Sequence, residues 1–396
     1  MLKMNRIHLA IAFSLALAGI ANGVRTSLST EMPDPLLEPP QSVAPLRNSF
    51  KDIFRIGTAV STSTIQGRDP KVEQLVKQHF DSFTAENAMK PDAMQPKEGE
   101  FTFTDADRLM EIAKQSNAEV VGHTLIWHSQ TPRWFFEGKD GKTVSREVAL
   151  ERMRKHIKTI VGRYKGRIKE WDVVNEAIND GPGTLRQTPW LRAIGEDYIA
   201  EAFRAAHEAD PAATLVYNDY NIELDYKRPK AVELLKKLLD QKVPVHAVGI
   251  QAHWRMDNPP LAETEKAIKE FSALGLKVMI TELDIGVLPA RYQGADISRI
   301  ERMTPEQEAV MNPYTKGLPS EIAVKHGEKY REAFELFLRH RKVIGRVTLW
   351  GTHDGHSWLN NFPMRGRTDY PLLFDRELKP KPAFLAAQRA ADSLKR

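Results

Sequence analysis

Eight short apolar runs, separated by segments of helical period, leave this chain few ways to fold. The runs cover residues 54–60, 82–85, 120–127, 168–174, 214–218, 245–250, 277–281 and 345–350. Between them Val72, Leu75, Val76 and Phe80, then Leu150, Met153, Ile157, Ile160 and Val161, then Tyr330, Phe334, Phe337 and Leu338 recur at helical spacing,. Strands that alternate with amphipathic helices predict parallel βαβ units. Eight units without interruption predict an α/β protein of the (β/α)8 TIM-barrel class, with a single catalytic domain over residues 51–396,. An open nucleotide-binding sheet would carry a glycine-rich phosphate loop after its first strand, and no such motif occurs,.

The segments before the barrel read differently. Lys3 and Arg6 precede an apolar run from Ile7 to Ile20, and the small residues Ala21 and Gly23 follow. This pattern predicts a cleaved signal peptide over residues 1–23, hence export to a periplasm or to the medium and no membrane contact after cleavage,. Residues 24–50 hold Pro33, Pro35, Pro39, Pro40 and Pro45 without apolar period and read as an extended lead-in,. The chain has no cysteine, which excludes disulfides, thiolate metal sites and a cysteine nucleophile,. Its formal charge of +5 is spread along the sequence rather than clustered, so no nucleic-acid partner is expected,.

Function is read from where the strands end. Glu86 and Asn87 follow the second run, His123 and Trp127 close the third, Asn175 and Glu176 the fourth, and Asn218 and Tyr220 the fifth. Gln251 and His253 follow the sixth, Glu282 and Asp284 the seventh, and Trp350 closes the eighth. In a parallel barrel these ends share one mouth. A single indole or carboxylate there is an ordinary packing or solvated residue. Two glutamates that each follow an apolar strand are another matter, because an ionisable group at the rim of a core is costly unless it is paired or used. Metal catalysis is not expected: His123 and His128 stand an odd number apart and should face opposite ways along a strand, and no H-E-x-x-H occurs,. No G-x-S-x-G serine elbow is present either, and no cofactor is called for,. Indoles, amides and imidazoles around two carboxylates suit an uncharged polyhydroxylated chain, with one carboxyl protonated to help the leaving oxygen and the other ionised.

The motifs at these ends are Glu86-Asn87-Ala88-Met89-Lys90, Gly122-His123-Thr124-Leu125-Ile126-Trp127-His128, Trp171-Asp172-Val173-Val174-Asn175-Glu176, Gln251-Ala252-His253, Ile280-Thr281-Glu282-Leu283-Asp284, and the stretch from Trp350 to Trp358. Together they resemble glycoside hydrolase family 10, the endo-1,4-β-xylanases. The resemblance implies a retaining enzyme, acting as a monomer on xylan and xylo-oligosaccharides, with Glu176 as general acid/base and Glu282 as nucleophile. It further implies that Glu86, Asn87 and Lys90 bind the sugar two units from the cut, and that His123, Trp127 and Asn175 surround the attacked sugar. Gln251 and His253 join the substrate-binding set, Trp350 and Trp358 wall the glycone side, and Tyr220 stacks on the leaving-group side. Asp284 orients His253, which bonds Glu282. The chain departs from the family pattern at Pro91, where a tryptophan usually follows the Met-Lys pair. A barrel glycosidase acting on cellulose and a non-catalytic xylan-binding barrel are the alternatives.

Overall fold

The computed structural model describes residues 43–290, 295–296 and 302–394. Within them the strands are β1 (Arg55–Val60), β2 (Ser82–Ala85), β3 (Glu119–Ile126), β4 (Glu170–Asn175), β5 (Thr214–Asp219), β6 (Ala247–Ile250), β7 (His253–Arg255), β8 (Lys277–Gly286) and β9 (Ile344–Leu349). All pairings among them are parallel, β1 lies between β2 and β9, and β6 pairs with β8. The ladder therefore closes on itself, and the eight expected strands form a barrel that leaves no free edge,. Helices of the expected period pack around it, among them Pro70–His79, Arg146–Arg163 and Ser320–Arg339.

Two differences from the sequence reading bear on the site. The strand expected at 277–281 runs on to Gly286, because the short β7 ladders onto its end and pairs His253 with Asp284. Ionisable residues that ended the apolar run thus stay in extended backbone with partners beside them. At the other end of the domain the lead-in is not extended throughout. Leu46–Ser49 forms one helical turn packed against the helices Pro70–His79 and Pro382–Ser393. Leu46 and Phe50 are buried there, and the Phe50 ring stacks on Phe54 and meets Phe334. Apolar contact outweighs the loop-forming composition around Pro45. The expected signal peptide over 1–23 and the lead-in as far as residue 42 lie outside the described residues. Among the described residues no helix is long and apolar enough to cross a membrane.

One glycine fixes the geometry of the mouth. Gly249 on β6 sits opposite Asn218 on β5, and a Cβ there would stand 2.3 Å from the Asn218 Oδ1 atom. Glycine at this point lets the amide lie across the strand and reach the centre of the barrel.

Candidate active site

The strand ends meet as expected. Glu86, Lys90, His123, Trp127, Asn175, Glu176, His253, Glu282, Trp350 and Trp358 line one cavity at the C-terminal mouth, together with Gln130 and Ala295. Glu176 follows β4 with φ +57°, a left-handed backbone that costs about 1–3 kcal/mol in a residue with a Cβ and that marks functional positions,. Its amide donates to the Asn218 carbonyl at 2.8 Å, which holds the turn.

The two glutamates sit in different electrostatic surroundings. Glu176 accepts from the Trp127 indole N–H at 2.8 Å and from Gln251 Nε2 at 3.1 Å. Burial, aided by the negative charge of Asp219, pushes its carboxyl up to about 7, against those two hydrogen bonds,. Glu282 accepts from Asn218 Nδ2 at 2.7 Å and lies 3.1 Å from His253 Nε2. Burial opposes its ionisation too, but the hydrogen bond and positive charge of His253, with the Asn218 amide, hold it below the ordinary glutamate value. His253 in turn has Nδ1 3.1 Å from Asp284, which also accepts from the Trp358 indole at 2.7 Å. Burial alone would strip His253 of its proton; the charge of Asp284 and the hydrogen bonds to Asp284 and Glu282 push it up to about 10. Near neutral pH, then, an imidazolium stands between two carboxylates and keeps Glu282 ionised, while Glu176 holds its proton in much of the population.

The remaining expected residues divide. Lys90 Nζ donates to Asn87 at 3.1 Å and to Gln130 at 2.9 Å, and it sits 4.7 Å from the centre of the Trp127 ring. Pro91 does not disturb this corner: it is buried at the first position of the helix Pro91–Met94, where a missing N–H costs nothing, and Lys90 precedes it in extended backbone,. His123 is clamped by Asp172 at 2.9 Å and packs edge-on against Trp350. Tyr220 is the correction. Its side chain has no exposed surface, its hydroxyl bonds Arg186 and Asp180, and Lys227 Nζ lies 3.6 Å from its ring centre. It packs among these charges with its ring fully buried. His128 is a second correction, since Nδ1 lies 4.0 Å from Glu176 rather than facing away. β3 ends at Ile126, so the two-residue alternation no longer governs position 128,. Burial pushes His128 down to about 4, so it brings no charge to Glu176.

Three residues of the mouth went unassigned in the sequence. Asn218 links Glu282 to Asn175, its Nδ2 donating to the Asn175 Oδ1 atom at 2.9 Å. Asp219 is fully buried, pairs with Lys227 at 2.9 Å, and raises Glu176 through its charge. Gln130 lies in the loop beyond β3, where no periodicity points to it. A polar Asn-Asp pair closing the apolar run of β5 was the available signal for the first two.

With this geometry in view, the sequence matches the family model described as glycosyl hydrolase family 10 over residues 45–390. The chain belongs to that family. Endo-1,4-beta-xylanase B of Paenibacillus barcinonensis is 41% identical over 358 residues, covering 90% of this chain and 98% of the relative. An endo-1,4-beta-xylanase of Geobacillus stearothermophilus is 43% identical, with coverage of 87% and 97%. Among solved structures, a family 10 endoxylanase from a sugarcane soil metagenome superposes with a TM-score of 0.83 at 43% identity, covering 87% of this chain and 99% of that one. The family 10 match begins at residue 45, beside the buried helical turn Leu46–Ser49, so the packed end of the lead-in is part of the barrel domain.

Proposed function

We propose that this family 10 chain is a retaining endo-1,4-β-xylanase in which Glu176 is the general acid/base and Glu282 the nucleophile. The observation that carries the proposal is the divergence of two carboxyls in one mouth, Glu176 pushed up to about 7 and Glu282 held low. One can donate a proton to the departing sugar oxygen while the other attacks the anomeric carbon. Attack by Glu282 forms a covalent glycosyl-enzyme; Glu176, now deprotonated, takes a proton from water, which displaces Glu282 and restores the starting configuration. His253 and Asn218 keep Glu282 ionised and aimed. The imidazolium also neutralises charge when the ester bond breaks. Trp350 and Trp358 offer flat faces to the C–H side of the glycone sugars, and Glu86, Asn87 and Lys90 offer hydrogen bonds to their hydroxyls. His123, Trp127, Asn175 and Gln251 surround the sugar under attack. The curated relatives named as xylanases, and a neighbour solved in complex with xylotriose at 39% identity and TM-score 0.76, support xylan and its oligosaccharides as substrates. Export through a leader over residues 1–23 to a periplasm or the medium, and action as a monomer, complete the reading.

Xylose lacks the exocyclic hydroxymethyl of glucose, so indoles that close on a xylose unit exclude a glucose unit by collision. Rejection of this kind exceeds the factor of about 10–200 that one lost contact supplies. Product analysis on linear xylan, cellulose and mannan is expected to give xylo-oligosaccharides alone, with kcat/KM on xylohexaose more than about 100-fold above that on cellohexaose. Equal values on the two would assign the chain to cellulose instead.

The same carboxyls set the pH dependence. Glu282 must be ionised, so the acid limb of kcat/KM falls below the ordinary glutamate range; Glu176 must be protonated, so activity declines as pH rises through about 7,. A profile on xylohexaose that stayed flat well above 7 would remove Glu176 as the acid.

A further inference from the structure

Thr281 and Glu282 are consecutive on β8, and in a regular strand their side chains would face opposite sides of the sheet,. Here both reach the same amide. Asn218 Nδ2 donates to Glu282 Oε1 at 2.7 Å, and the Thr281 hydroxyl donates to Asn218 Oδ1 at 2.6 Å. A shift of register makes this possible. β8 pairs Ile280 with Val347 and Leu283 with Leu349 on β9, so across Thr281 and Glu282 it carries one residue more than its neighbour, and such a bulge re-aims side chains,. Gly249 clears the space on the other side, where a Cβ would stand 2.8 Å from the Thr281 methyl as well as against Asn218.

The Asn218 side chain is fully buried, so each of its polar atoms needs a partner in the protein,. Nδ2 uses its two hydrogens on Glu282 and on the Asn175 Oδ1 atom, and Oδ1 accepts from Thr281. Turned over, the amide would set its oxygen against those two acceptors, so Glu282 and Asn175 decide which end faces the mouth. Thr281 adds the contact at the far end that keeps the plane of the amide from tilting. Donation into the carbonyl also polarises the amide and strengthens its N–H end as a donor. Without the hydroxyl, Oδ1 would be a buried acceptor left unpaired, and the amide would gain by rotating away from Glu282 to find a partner.

We propose that Thr281 is a positioning residue for the nucleophile: its hydroxyl holds the plane of the Asn218 amide and, through it, the hydrogen bond that aims the Glu282 carboxylate. Thr281 is 2% exposed and takes no part in the wall of the mouth, so it acts through Asn218 and not on the sugar. The inference rests on the reading of Glu282 as nucleophile and adds a residue to it. Other groups bear on Glu282 as well: His253 from β7, His123 from β3, Lys90 from the loop after β2 and Asp284 on its own strand, with Glu176 in the same cavity. All of them remain when the Thr281 hydroxyl is removed, so that change isolates the amide.

Thr281→Val keeps the shape of the side chain and removes its hydroxyl. In this variant kcat/KM is expected to fall about tenfold, the factor one hydrogen bond supplies, on xylohexaose and on an activated aryl xylobioside alike, since the nucleophile serves both. The acid limb of kcat/KM is expected to move up by about one pH unit, because the ionised form of Glu282 loses support from the amide. Thr281→Ser, which keeps the hydroxyl, is expected to restore both. If Thr281→Val does not fold, Thr281→Ala carries the same expectation. An acid limb that stays in place, or a Thr281→Ser variant as impaired as Thr281→Val, would overturn the inference. Carbon-13 NMR of the labelled glutamate carboxyls reads the titration of Glu282 with no substrate present and so separates this failure from failure of the xylanase reading. A Glu282 that titrates higher in Thr281→Val supports the inference even if the wild type cleaves another polymer, and one that does not move overturns it even if xylan is cleaved well.

Discussion

Glu176→Ala is expected to lose xylan hydrolysis by about 10²–10⁴-fold, the contribution of general acid catalysis, while keeping the first chemical step on an activated aryl xylobioside. A sugar alkoxide is a poor leaving group and needs the proton that Glu176 carries up to about 7; an acidic phenol departs without it. The second step still needs a base to activate water, so the covalent intermediate accumulates. Rapid-mixing kinetics on the aryl substrate should show a burst of phenol followed by slow turnover, and steady-state rates on xylan should show the large loss. Trp127 and Gln251, which bond Glu176, remain in place in this variant, so binding should change little. Equal loss on the two substrates, with no burst, would give Glu176 some other task.

Glu282→Ala is expected to remove hydrolysis of both substrates, because no group is left to form the glycosyl-enzyme. The loss should reach the limit of detection on the aryl xylobioside, where leaving-group assistance is irrelevant, and this separates the two glutamates. The variant also leaves the His253 imidazolium and the Asn218 amide, now 3.1 Å and 2.7 Å from where the carboxylate oxygens were, around a small anion-sized space. Added azide can enter there and attack the sugar directly, giving a glycosyl azide of inverted configuration. Aryl activity that persisted in Glu282→Ala without azide would contradict the assignment of the nucleophile.

The barrel and the ring of strand-end residues were legible in the sequence for a simple reason. A parallel barrel buries both faces of each strand, so its strands read as unbroken apolar runs, and the first polar residue after each run lies at the mouth. That rule put Glu176 and Glu282 at the mouth without a structure. It fails where backbone leaves the regular ladder. Trp127 and His128 stand beyond the end of β3, past a register shift between His123 and Ile126, and alternation misjudged His128. It fails again for charge at a distance: Asp219 reads as the polar end of a strand, yet it lies buried against Lys227 and biases Glu176. Tyr220 shows a third limit, since the ring enters a cluster of Arg186, Asp180 and Lys227 that comes from three separate stretches of chain.

Retention is the central claim, because it follows only if Glu282 forms a bond to the sugar before water does. In a retaining pair the carboxyls stand roughly 5–5.5 Å apart and leave no room for a water between nucleophile and sugar, so the first product is expected to carry the β configuration. Proton NMR during the first minutes of xylohexaose hydrolysis reads the anomeric signals before mutarotation mixes them. The β-anomer is expected to appear first and the α-anomer to grow in later; α-anomer released at the outset would contradict the account.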